Sequence, residues 1–128
     1  MSVLQAAQQW EGRLESALGT VGLSVPKFMA LQHLANAHEP LTLSELADYA
    51  SCVRSNITQL VDRLEADGLA ERVDDPHDRR VIRARLTPLG KERYAAGARI
   101  IDRVSAEFAG SIPAEDRAIL ERLLARLH

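Results

Sequence analysis

"DDPHDRRVIRARLTPLG", residues 74–90, decides how the rest of the chain is read. Asp75-Pro76 initiates a turn, because proline pre-sets one backbone angle and aspartate folds back on its own backbone. In "VIRARL" (81–86), Ile82, Ala84 and Leu86 alternate with Val81, Arg83 and Arg85, so a strand there has one apolar face and one half-basic face. "LAERV" (69–73) is strand-like on the other side of the turn, which makes the stretch a hairpin. Arg79, Arg80, Arg83 and Arg85 crowd onto it. Thr87 then caps a helix with Pro88 at its first position, running through "GKERYAAGARIIDRVSAEFA" (90–109). Pro113, with Glu115 and Asp116 close behind, opens a last helix bearing Ile119, Leu120, Leu123, Leu124 and Leu127.

Working back from the hairpin, Gly68 stops "RSNITQLVDRLEADG", whose Ile57, Leu60, Val61 and Leu64 follow helical spacing. A turn over 51–53 separates it from a short helix that the capping box Thr42 to Glu45 opens, with Leu43, Leu46, Ala47 and Ala50 apolar. Ser24 caps "VPKFMALQHLANA", which puts Phe28, Leu31, Leu34 and Ala35 on one face. "LQAAQQWEGRLESAL" forms the first helix, with Leu4, Ala7, Trp10 and Leu14 in a stripe. Short helix, tight turn, second helix and a hairpin behind them make a winged helix-turn-helix. The expected fold is mostly α with a small β-hairpin wing, in one domain of 128 residues.

The net charge of -2 argues against a uniformly basic nucleic-acid binder. Its distribution says more. Residues 1–53 hold two basic and five acidic side chains, whereas 76–93 hold six basic and two acidic ones. No apolar run approaches the roughly 18 residues of a membrane span, and "MSVLQAAQQWEGR" lacks a signal peptide's basic start and apolar middle. A cytoplasmic protein without membrane partners is expected. One cysteine, Cys52, excludes an internal disulfide framework.

With Ile57 facing the core, steps of about 100° per residue place Ser55, Asn56, Gln59, Asp62 and Arg63 on the opposite side of their helix. Asn and Gln pair bidentately with adenine edges and Arg with guanine. They crowd the N-terminal half, the part a recognition helix presents to the major groove. Guanidinium groups on the hairpin suit phosphates and narrow minor grooves. Asp78 stands beside Arg79 and Arg80, placed to aim one of them.

The run "RSNITQLVDRLEADGLAERVDDPHDRRVIRARLTPLG" resembles the MarR (multiple-antibiotic-resistance regulator) family of bacterial winged-helix repressors. The matching motifs are "DRLEADGL", "DDPHDRR" and "LTPLG", and the resemblance covers about 24–93 closely. It implies a transcriptional regulator that binds a palindromic operator in double-stranded DNA as a homodimer, with 24–93 as the DNA-binding core and 1–20 and 94–128 as dimerisation helices. It carries base contacts onto Ser55, Asn56 and Gln59, and phosphate contacts onto Arg54, Thr58 and Arg63. The wing arginine falls on Arg80, partnered by Asp78, with Arg79 near the tip and Arg83 on the strand behind. Thr42 and Ser44, where backbone N–H groups lack partners, are further phosphate ligands. Glu39, Glu45, Asp48 and Asp62 place negative charge near the same surface.

Such regulators answer to small aromatic or anionic effectors, or to oxidants through cysteine. Trp10, Phe28 and His33 are the candidates to line an effector pocket, although core packing is the simpler use of each. Cys52, just before the recognition helix, is the candidate redox residue. Leu120, Leu123, Leu124 and Leu127 form an apolar stripe that a monomer this small half covers, and so form the expected dimer surface. A winged helix that binds protein in place of DNA would want an apolar patch where Ser55, Asn56 and Gln59 stand. Catalysis is not expected. His33, His38, His77 and His128 lack zinc-like spacing with Cys or carboxylates, no phosphate loop appears, and no metal or cofactor is implied.

Overall fold

The computed structural model of the chain describes residues 3–49 and 54–125, without the side chains at 3, 6, 54, 55, 117, 120, 121 and 123–125. Six helices and a three-stranded sheet follow in the order α1 (Val3–Gly19), α2 (Val25–Asn36), β1 (Leu41–Thr42), α3 (Leu43–Tyr49), α4 (Arg54–Ala66), β2 (Ala70–Asp74), β3 (Ile82–Leu86), α5 (Pro88–Ser111) and α6 (Ala114–Ala125). The fold is mostly helical with a small antiparallel wing, as the patterning predicts. The strand β1 is the addition. Two residues are too few for any period to register, and they are extended because Leu41 and Thr42 pair with Ala84 and Arg83 on the free edge of β3. The sheet order is β1-β3-β2.

Caps stand where the sequence puts them. Ser24 accepts from Lys27 N at 3.3 Å and Thr87 from Gly90 N at 2.9 Å. Thr42 is at once the end of β1 and the cap of α3, accepting from Glu45 N at 3.0 Å. At the end of α4, Gly68 takes φ +76 while Leu69 N donates to Leu64 O at 2.8 Å and Gly68 N to Glu65 O at 2.9 Å. That double bond pattern is a Schellman close, and only a residue free of a Cβ adopts its left-handed position without strain.

"LTPLG" joins wing to helix. Leu86 enters the core, and Thr87 Oγ1 donates to Gly68 O at 2.6 Å while Thr87 N donates to Leu69 O at 3.1 Å. A Cβ on Gly90 would stand 1.9 Å from the Leu69 carbonyl oxygen, so the first turn of α5 lies directly on the backbone between α4 and β2.

One core runs through the chain, with Leu18, Leu31, Leu46, Ile57, Val61, Leu64, Leu69 and Ala84 fully buried. Two expectations shift. On α2 Ala30 is buried and Ala35 exposed, because α5 covers one side of this helix while β3, α3 and α4 cover the other, so its buried arc is wider than one stripe. On α1 only the second half is covered: Leu18 is buried and Trp10 and Leu14 are half-buried against α5, whereas Ala7 is exposed and Leu4 is 68% exposed. No helix among the described residues is long and apolar enough to cross a membrane.

Candidate nucleic-acid interface

Burial of Ile57, Val61 and Leu64 fixes the rotation of α4, and Asn56, Gln59, Asp62 and Arg63 are consequently exposed on its other side. Thr58 is half-buried on the flank. Arg54 and Ser55 begin the helix, and their side chains lie outside the described residues, as do Cys52 and the turn around it.

A residue absent from the sequence reading governs this helix. Arg72, on β2, donates from Nη2 to Asp62 Oδ1 at 2.7 Å and to the Thr58 carbonyl at 3.4 Å, and from Nη1 to Glu65. Its backbone N–H also reaches Glu65 Oε2 at 3.1 Å. One guanidinium thus pins three positions of α4 to the sheet and neutralises Asp62 on the outward face. The available signal was Asp62 and Glu65 three apart, one helical turn, followed by an arginine on the next strand.

The wing is organised by two aspartates. Asp75 Oδ2 accepts from the N–H groups of His77 and Asp78, each at 2.9 Å, closing the turn, and its Oδ1 accepts from Arg83 Nε at 2.6 Å. The Arg83 bond, then the His77 N–H, hold the Asp75 carboxyl below the usual carboxylate range. Asp78 Oδ1 accepts from Arg80 N at 3.0 Å and Arg80 Nε at 3.2 Å, and Oδ2 from Nη2 at 3.3 Å. The Arg80 side chain, followed by its backbone N–H, depresses Asp78 likewise. Arg80 is nevertheless 90% exposed. Its guanidinium is held at one edge and open to solvent elsewhere, as the pairing in the sequence suggests. Arg79, beside it, is exposed.

Other expected residues take different work. Arg83 is not an open wing cation: besides Asp75 it donates to Pro40 O at 2.9 Å and lies 3.8 Å from Glu45, locking the wing to the start of α3. Arg85 pairs with its cross-strand partner Glu71 at 2.7 Å. Of the acids that crowd this surface, Asp62 and Glu45 are thereby matched by Arg72 and Arg83, while Glu39 and Asp48 are exposed. The Thr42 hydroxyl is occupied as a cap, and Ser44 is exposed in the first turn of α3.

The three candidates for an effector pocket do not meet. Trp10 packs edge-on against Phe108 of α5 at 4.8 Å, Phe28 is buried against Tyr94 at 5.5 Å, and His33 stacks on Tyr49 of α3 at 5.4 Å. They serve three separate seams of the helical packing. Leu120, Leu123 and Leu124 fall on α6 with side chains outside the described residues, and Leu127 lies beyond them.

Comparison with known proteins gives this geometry its relatives. The profile of the MarR family matches residues 21–81. YsmB of Bacillus subtilis, an uncharacterized HTH-type transcriptional regulator, is 38% identical over 74 residues, which cover 58% of this chain and 50% of YsmB. The chain therefore spans half the length of that relative. A putative MarR-like transcription regulator from Bacillus cereus superposes with a TM-score of 0.84 at 26% identity, over 98% of this chain and 89% of its own. A mutant of MarR from E. coli, solved in complex with operator DNA, superposes with a TM-score of 0.85 at 24% identity, over 98% and 89%. Residues 21–81 match the MarR family, and the whole chain is similar in fold to a MarR-like transcription regulator.

Proposed function

We propose that the chain is a DNA-binding transcriptional regulator, a repressor in which α4 reads base edges in the major groove while the wing holds the backbone or the minor groove. The observation that carries this reading is the pairing of an outward amide-bearing helix face, Asn56 and Gln59, with an exposed Arg80 already aimed by Asp78. Asn56 and Gln59 take the base-reading role with Ser55, and Arg54, Thr58, Arg63, Arg79 and Arg80 the backbone, with Ser44 beside them. Arg83 and Arg72 hold the wing and the helix in place. That a protein of the same fold carries operator DNA supports it. Apart from the small Ala66, the described outward positions of α4 are polar or charged, which leaves a protein-docking use of this face without a large apolar anchor.

The active species is a homodimer on a palindromic site, its halves about 34 Å apart as one DNA turn requires. Leu4, 68% exposed near the start of α1, and Ile119, 49% exposed on α6, support burial of the terminal helices against a second copy. A small ligand or an oxidant releases the DNA, and the protein works in the cytoplasm, where the DNA is. Selection of duplexes from a random pool tests the whole reading. It should enrich a two-fold symmetric sequence with half-sites about one turn apart. Unsymmetric or featureless enrichment overturns it.

A further inference from the structure

We propose that the cleft between α2 and α3 binds a small aromatic organic cation, and that its occupancy loosens the wing. The cleft measures about 430 Å³ and is lined chiefly by His33, Asn36, Glu39, Leu41, Glu45 and Tyr49. That volume suits a single substituted ring. His33 and Tyr49 stack at an interplanar angle of 17° and form an aromatic wall. The Nε2 atom of His33 is buried and has no hydrogen-bond partner among the described residues.

Charge decides the class of ligand. The lining holds two carboxylates, Glu39 and Glu45, with the histidines His33 and His38, and among the described residues no lysine or arginine. A benzoate-like anion would be repelled by both carboxylates, whereas an arylalkyl ammonium meets them with its charge and the His33–Tyr49 wall with its ring.

The same residues lead to the DNA-reading elements. Glu45 lies 3.8 Å from Arg83 Nη1, and Arg83 in turn holds Asp75 and the Pro40 carbonyl. A cation that draws Glu45 into the cleft competes with Arg83 for it and relaxes the tie between wing and α3. Tyr49 is the last residue of α3, which packs against α4. This coupling rests on the DNA-binding reading above. The cleft's ligand preference does not.

The test uses the full chain with 2-phenylethylamine as probe and phenylacetate, of the same ring and opposite charge, at matched ionic strength. The imidazole resonances of His33, assigned with His33→Gln, should shift saturably with the amine and stay fixed with the acid. The double variant Glu39→Gln, Glu45→Gln should weaken that binding about tenfold, one decade per 1.4 kcal/mol of lost attraction. Equal shifts from phenylacetate, or none from either probe, overturn the site. The second arm measures DNA affinity with and without saturating amine. Weakening that disappears in Glu45→Gln supports the coupling, and unchanged affinity while the amine occupies the cleft overturns it. A chain that binds no DNA at all refutes the functional reading and still leaves the first arm decisive for the cleft.

Discussion

Arg72 on β2 and Asp62 on α4 are joined at 2.7 Å across the seam between the wing and the recognition helix. The same guanidinium also holds Glu65 and the Thr58 carbonyl. Replacing it by alanine releases two carboxylates on the helix and removes its anchor to the sheet. Arg72→Ala should cost about 1 kcal/mol of folding stability, as a partly exposed ion-pair network does, and should weaken DNA binding severalfold. Asp62→Asn on that background should recover part of the affinity, because the freed carboxylate otherwise repels phosphate. Anisotropy titrations of the two variants check this; no recovery in the double variant sinks the electrostatic account.

Wing and helix should separate by salt dependence. Arg80→Ala is expected to weaken specific and non-specific DNA alike and to lower the salt slope by about one unit per lost phosphate contact. Asn56→Ala should cost about 1–3 kcal/mol on the cognate site only, with its salt slope nearly unchanged, since an amide releases no counterion. Asp78→Ala should resemble a milder Arg80 loss, because the guanidinium persists but loses its aim. Affinities for operator and scrambled duplexes at several salt concentrations decide. The reverse pattern, with Arg80→Ala leaving the slope intact and Asn56→Ala flattening it, exchanges the two roles.

The wing should come apart in acid. The Arg83 contact lowers the Asp75 pKa and the Arg80 contacts lower that of Asp78, so each folded value lies below the unfolded value of about 3.9. A depressed carboxylate contributes its full stability above the unfolded pKa and loses it as pH falls through the folded pKa. The wing ion pairs are therefore intact at neutral pH and given up only in strong acid. Carboxyl carbon NMR titration should find both aspartates titrating below the value of about 3.9 usual for an aspartate. Ordinary midpoints at Asp75 would contradict its bond to Arg83.

Gly90→Ala is a test of packing alone. The new Cβ would sit 1.9 Å from the Leu69 carbonyl oxygen, which is backbone and cannot swing aside. The start of α5 must shift, at a cost of about 3 kcal/mol, the upper range for overpacking. For a chain of this size that is a fall of roughly 10 °C in melting temperature by calorimetry. An unchanged melting temperature would mean that α5 does not lie on this backbone.

Local chemistry was legible in the sequence wherever one element carries its own information. Ser24, Thr42 and Thr87 announce helix starts, Gly68 a helix end, and Ile57, Val61 and Leu64 set which side of α4 faces outward, all within a turn or two of chain. Asp78 could be matched with Arg80 because they are two residues apart. What tertiary structure alone decided depends on neighbours distant in the chain. The strand β1 exists only because β3 offers an edge to Leu41 and Thr42. Arg83 reads in sequence as one more wing cation, yet Pro40 and Glu45, some forty residues earlier, claim it. Trp10, Phe28 and His33 are parted because each sits in a different seam, α1 against α5, α2 against α5 and α2 against α3. Periodicity reports which way a side chain points from its own backbone. Which partner waits there is fixed only when elements pack, since an arginine's long reach lets it choose among several acceptors that the linear order does not rank.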